Sequence, residues 1–208
     1  MDFKRFLINF LSSFLIVLKR SVGLISDPYR TMRKISTERD NYQLFIIAGL
    51  IFIYFKFIYF LRDKAYPATY IYFIFVLDFL MMVGFFYLMS KFIGSTKNKK
   101  EISFASYVFT LSYSLLPTLV WFLSTSILYI FLPPPRTFSL LGKGFSIFFI
   151  TYSLSLLVWK LILIYLALRF SSKQNFFRII YMIIFFLIWF IPYSVFLYQF
   201  RLFRIPFI

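Results

Sequence analysis

Five long apolar runs, divided by short basic stretches, fill the chain from residue 42 onward. They cover residues 42–61, 70–90, 107–132, 145–168 and 176–198. A helix rising about 1.5 Å per residue needs about 20 residues to cross roughly 30 Å of hydrocarbon, and each run meets that length. A water-soluble chain cannot bury so many unbroken apolar helices. Helices also satisfy their own backbone hydrogen bonds inside lipid. The spacing therefore predicts an all-α, polytopic membrane helix bundle with five transmembrane helices.

Composition agrees. Charged residues make up 14% of the chain, below the roughly one quarter usual for soluble domains, while 62% is hydrophobic and 25% aromatic. The natural division is a basic approach at 1–41, a membrane domain at 42–200 and a short tail at 201–208. Cysteine and histidine are both absent, which removes disulfides, thiolate chemistry, ordinary zinc sites and Ser-His or Cys-His nucleophile arrangements. The seven acidic residues are scattered singly except around Glu38 and Asp40, so the membrane runs hold no carboxylate pair for catalysis. No catalytic, cofactor-binding or metal-ligating set is expected, and the chain reads as non-enzymatic.

The formal charge is +16, from 23 Lys and Arg against 7 Asp and Glu. In a soluble protein this would suggest nucleic acid. Here the cations gather at the ends of the runs, where anionic lipid head groups account for them, and no Gly-rich phosphate loop or RNA-binding aromatic motif occurs. Lipid, not nucleic acid, is the expected partner, with a protein partner or self-association as further options. Lys and Arg concentrate before the first run and between runs two and three and runs four and five. The alternate loops and the tail hold only Arg62, Lys64, Arg136, Lys143, Arg201 and Arg204. The positive-inside rule then predicts a cytoplasmic N-terminus and a non-cytoplasmic C-terminus.

Ahead of the first run, residues 2–20 resemble a secretory signal but end at Lys19-Arg20 without a small-residue cleavage site, so retention is expected. Phe3, Phe6, Leu7, Phe10, Leu11, Phe14, Leu15, Val17 and Leu18 share one helical face, with Asp2, Arg5, Asn9, Ser12, Ser13 and Arg20 opposite. The pattern predicts an amphipathic helix in the head-group layer, with packing on the bundle end as the alternative. Asp27-Pro28 predicts a capped helix start. A helix over 28–37 would put Arg30, Arg33 and Lys34 on one basic face, suited to lipid phosphates or an acidic partner; a solvated cationic segment is the plainer reading. Further on, 97–101 reads as a polar turn and Pro133-Pro134-Pro135 as a stiff exit from run three. Gly142 and Gly144 read as a turn into run four, and Pro192 as a kink in run five.

Three charges lie inside apolar runs: Asp78, Lys56 and Lys160. Such groups pair, neutralise or snorkel. Two readings stand: a proton or ion relay, or a structural contact in which Asp78 pairs with a lysine or is hydrogen-bonded in the bundle. Run three is the least apolar. Ser106, Thr110, Tyr113, Pro117 and Ser124 share a face, and Pro117 withholds a hydrogen bond from the Tyr113 carbonyl. That face is expected to point inward for helix packing, with a wet path as the alternative.

The stretch Tyr113-Ser114-Leu115-Leu116-Pro117 inside the third of five runs, the Pro28-containing basic approach, and Trp159-Lys160 through Arg169 together resemble the Yip family, named for binding Ypt/Rab GTPases. The resemblance implies five spans, a cytoplasmic N-terminus and a non-enzymatic factor linked to membrane traffic or shape. Only 41 residues precede the first run, shorter than the region eukaryotic members rely on, so Rab binding is not carried over. The expected function is a membrane scaffold or adaptor. The alternative is a small transporter or channel using Asp78 and the polar face of run three.

Overall fold

The computed structural model of the chain describes residues 3–38, 40–61, 66–93, 103–131 and 140–202. It is a helical bundle, with no strand among the described residues. The helices run α1 (Phe3–Ser26), α2 (Pro28–Thr37), α3 (Asn41–Leu61), α4 (Ala68–Ile93), α5 (Phe104–Tyr113), α6 (Leu116–Phe131), α7 (Leu140–Ser172) and α8 (Phe176–Gln199). The expected turn at 97–101 and the Pro133–Pro135 exit lie outside the described residues.

The centre of the bundle is α5–α6, which packs against α3 and α7; α5 also meets α2 and α4, and α8 closes the far side against α4 and α7. Lipid gives helices no hydrophobic reason to associate, so close packing and interhelical hydrogen bonds must hold them. Such bonds recur along the seams. Tyr54 bonds Ser126 at 3.0 Å, and Thr110 bonds Ser171 at 2.7 Å. Trp121 donates to Ser153 at 3.0 Å, and Tyr152 donates to Ser124 at 2.9 Å. Each contributes about 0.6 kcal/mol on average in a membrane. Aromatic rings fill the space between: Tyr54 of α3 stacks on Phe122 of α6 at 4.9 Å, and Phe86 of α4 meets Phe186 of α8 at 4.8 Å.

Run three is two helices rather than one. At its middle the Ser114 N–H turns back to Leu111 O and the Leu115 N–H to Ser112 O, a tightened turn before α6 begins. Pro117 is the reason: lacking an N–H, it cannot bond the Tyr113 carbonyl, so the ladder breaks where the sequence placed the missing bond. Ser112 and Ser114 reinforce the break by donating to Phe109 O and Leu111 O, both at 2.7 Å. Gly142 and Gly144 do not form a turn. They lie inside α7, whose first turns extend the expected fourth run toward its N-terminus. Pro192 sits within α8, which continues through it.

Among the described residues six helices are long and apolar enough to cross a membrane by length and composition, α5 and α6 being taken together; beside the five expected runs, the sixth covers Leu7–Ser26 of α1. The expected 2–20 segment continues to Ser26 because nothing breaks it before Asp27-Pro28. The Asp27 N–H still bonds Gly23 O at 2.8 Å, and the chain then leaves helical geometry at φ −141°. The residue before a proline is disfavoured in the α region, so the helix ends there.

Candidate functional site

The end of the bundle where α2, the start of α3 and the end of α7 meet gathers most of the described charge. The site begins with α2. Asp27 caps it, its carboxylate accepting from the Arg30 backbone N–H at 3.3 Å, and Pro28 occupies the first turn as expected. Met32 and Ile35 are fully buried, which seats α2 on α7 and α5. Burying one face turns the other outward, and Arg30, Arg33 and Lys34 are all exposed. Arg30 reaches Asp27 at 3.4 Å, but both side chains are largely solvated, so that pair contributes little.

On the flank facing α7, Tyr29 packs on Phe170 at 5.2 Å between centroids. The Arg169 guanidinium lies over the Tyr29 ring at 5.8 Å and donates to the Tyr165 hydroxyl at 3.1 Å. Sequence reasoning counted Arg169 as part of a basic loop and passed over Tyr29. The signal available was Tyr165 at i−4 from an arginine closing a long apolar run.

Beneath α2 lies a buried polar network that sequence reasoning did not assemble. Ser13, Val17, Arg20 and Leu24 form the buried stripe of α1, at spacings that place them on one helical face. Arg20, only 8% exposed, donates to Gln43 Oε1 and to Glu38 Oε2, each at 2.6 Å. Tyr113 also donates to Gln43 Oε1. Ser13 donates to Asp40 at 2.5 Å, and Asp40 receives the Tyr42 backbone N–H at 3.0 Å. The hydrophilic side of α1 carries Arg20 and Ser13 into the protein. Leu7, Leu11, Leu15, Leu18, Val22 and Ile25 are exposed. The physical reason is partner supply: Glu38, Asp40 and Gln43, at the entry to α3, offer the acceptors a buried guanidinium requires.

Of the charges inside the runs, Asp78 is half-buried on α4 and accepts from the Tyr193 hydroxyl of α8 at 2.6 Å. No ion pair joins it to Lys56 or Lys160, so the lysine pairing considered from the sequence is replaced by a hydrogen bond across α4–α8. Lys56 lies 5.5 Å from the Phe52 ring one turn back, a cation–π contact. Lys160 is half-buried on α7, with buried Leu163 and Ile164 at i+3 and i+4. Ser106, Thr110, Tyr113 and Pro117 are all buried, and Ser124 lies at the α6–α7 seam with its hydroxyl accepting from Tyr152. The polar face of run three therefore points inward. Its hydroxyls are taken up by helix packing: Thr110 bonds both Ser106 O and Ser171.

Asp78→Asn keeps an acceptor for Tyr193 and is expected to shift unfolding in detergent very little. Asp78→Leu should lose roughly 0.6–1.7 kcal/mol, the range for interhelical bonds in membranes. An Asp78→Asn protein that folds normally but loses ion flux in reconstituted vesicles would make Asp78 a pathway residue instead.

Among the described residues no group of three or more His, Cys, Asp or Glu is placed to hold a metal. The family model described as Yip1 domain matches residues 22–197, from the end of α1 almost to the end of α8. No curated protein matches the chain, and neither does any solved structure.

Proposed function

The chain belongs to the Yip1 domain family, and from that premise we propose that it is a non-enzymatic membrane scaffold or adaptor whose basic end engages anionic lipid head groups. The observation that carries this reading is α2. Its apolar side is sealed onto α5 and α7 by Met32 and Ile35, so Arg30, Arg33 and Lys34 are presented on a fixed support rather than on a loose tail. Fixing the cations in advance lowers the entropy lost when they meet an interface. The Lys and Arg asymmetry of the loops supports a cytoplasmic position for this end, where the leaflet surface is negative. Two further features support a packing role: the exposed apolar belt of the bundle and the use of its intramembrane polar groups in helix contacts.

The test is lipid selectivity in mixed nanodiscs. With the full chain reconstituted in phosphatidylcholine and phosphatidylglycerol, spin-labelled lipids should show phosphatidylglycerol enriched around the protein. Each cation near a negative surface contributes about 1 kcal/mol, so replacing Arg30, Arg33 and Lys34 together with Ala should lower the enrichment by at least about fivefold. Enrichment indifferent to those three residues would remove α2 as the contact. Single-cysteine labelling, clean in a chain without native cysteine, tests the sidedness independently.

A further inference from the structure

We propose that Arg33 of α2 and Arg169 of α7, with Tyr29 as their shared wall, form a site for the phosphomonoester of an anionic lipid head group. The inference rests on the lipid-facing reading of the basic end and gives that surface a specific chemistry.

Four observations support it. Arg169 lies over the Tyr29 ring at 5.8 Å and spends one donor on Tyr165. A guanidinium has five N–H donors in a planar fork, so the bond to Tyr165 leaves four for a ligand. Arg33 follows Tyr29 by one helical turn, at i+4, so the two share a face of α2. Among the described residues, neither arginine has a carboxylate within ion-pair distance. The described acids are engaged elsewhere: Asp27 with Arg30, Glu38 with Arg20, Asp40 with Ser13, and Asp78 with Tyr193. Finally, the site is bipartite. One arginine comes from the hairpin of α1 and α2 and the other from the bundle, so a single bound group would join the two.

Two arginine forks suit a phosphomonoester, which offers three strong acceptor oxygens and close to two negative charges. A phosphodiester offers two free oxygens and one charge and engages one fork fully. Lysine could supply the charge but not the planar stacking on Tyr29.

Native mass spectrometry of the full chain in detergent, titrated with phosphatidic acid or phosphatidylglycerol, measures the preference directly. Wild type should retain phosphatidic acid about tenfold more strongly, the value of one or two charge-assisted hydrogen bonds. Arg33→Ala and Arg169→Ala should bring the two lipids close to parity. Arg169→Lys should do the same while keeping overall anionic binding, because charge survives and the fork does not. Arg30→Ala with Lys34→Ala should weaken both lipids alike. Both arginines are exposed, so these variants retain the core. A preference that survives loss of both arginines overturns the site, as does a wild type without preference. In either case phosphatidylglycerol selectivity over phosphatidylcholine shows whether the broader lipid reading still stands. Displacement of phosphatidic acid by millimolar inorganic phosphate would assign the site to free phosphate and overturn the lipid assignment.

Discussion

Arg20→Ala should destabilise the protein by about 2–4 kcal/mol, the largest effect expected of any single side-chain truncation at the basic end. The value comes from what is left behind. Removing the guanidinium leaves Gln43, a buried side chain, without its charged donor, and leaves Tyr113 sharing that amide alone. Glu38 would suffer less, since its side chain is 67% exposed and water can replace the lost bond. Glu38→Gln should therefore cost well under about 1 kcal/mol, the range of exposed pairs. The two variants separate a buried hydrogen-bond hub from a surface ion pair. Thermal unfolding in detergent reads both. A cysteine introduced at buried Val17, in a chain that has none, should become reactive in Arg20→Ala if α1 lifts from α3. An Arg20→Ala protein as stable as wild type, with that cysteine still protected, would show that packing alone holds α1.

Gly23→Val should separate α1 from α2 and cost about 2–3 kcal/mol, with Gly23→Ala at about 1 kcal/mol or more. A Cβ at Gly23 would stand 2.7 Å from Thr31 Oγ1 and 3.2 Å from Thr31 Cγ2. Thr31 is β-branched and stiff about χ1, so it cannot swing away freely. The partner substitution decides the mechanism. Thr31→Ala removes both crowded atoms and leaves Cβ at 3.5 Å, an ordinary contact, so the double variant Gly23→Ala, Thr31→Ala should recover most of the loss. A double-mutant cycle by thermal unfolding measures this coupling. Additive losses would mean that Gly23 matters for helix geometry rather than for the α1–α2 contact.

How far the sequence foretold these sites depended on whether the signal was local. The α2 boundaries were legible because an aspartate cap and a proline at the first turn act within four residues, and the structure places the helix at Pro28–Thr37 as read. The membrane runs were legible because span length is set by the thickness of lipid. The inward face of run three was legible for Ser106, Thr110, Tyr113 and Pro117, since hydroxyls in lipid seek neighbours. Partners across the bundle were not. Asp78 meets Tyr193, 115 positions away, and nothing local distinguishes that tyrosine from the other tyrosines of the chain. The partners of the hydrophilic side of α1 were hidden for the same reason. Helical periodicity shows that Arg20 and Ser13 share a side, but only the acceptors on Glu38, Asp40 and Gln43 decide that this side faces protein. The apolar face is left outward, as the amphipathic pattern expected.

The length of α7 has a consequence for how the protein meets its bilayer. Its 33 residues make a rod of about 50 Å, against roughly 30 Å of hydrocarbon. Its C-terminal half is partly covered by α1 and α2: Trp159 donates to the Leu24 carbonyl, and Phe170 packs on Tyr29. A lone helix of that length relieves hydrophobic mismatch by tilting or by stretching nearby lipid. At this end of α7, part of its surface is covered by α1 and α2 instead, so lipid need not meet the whole of the rod.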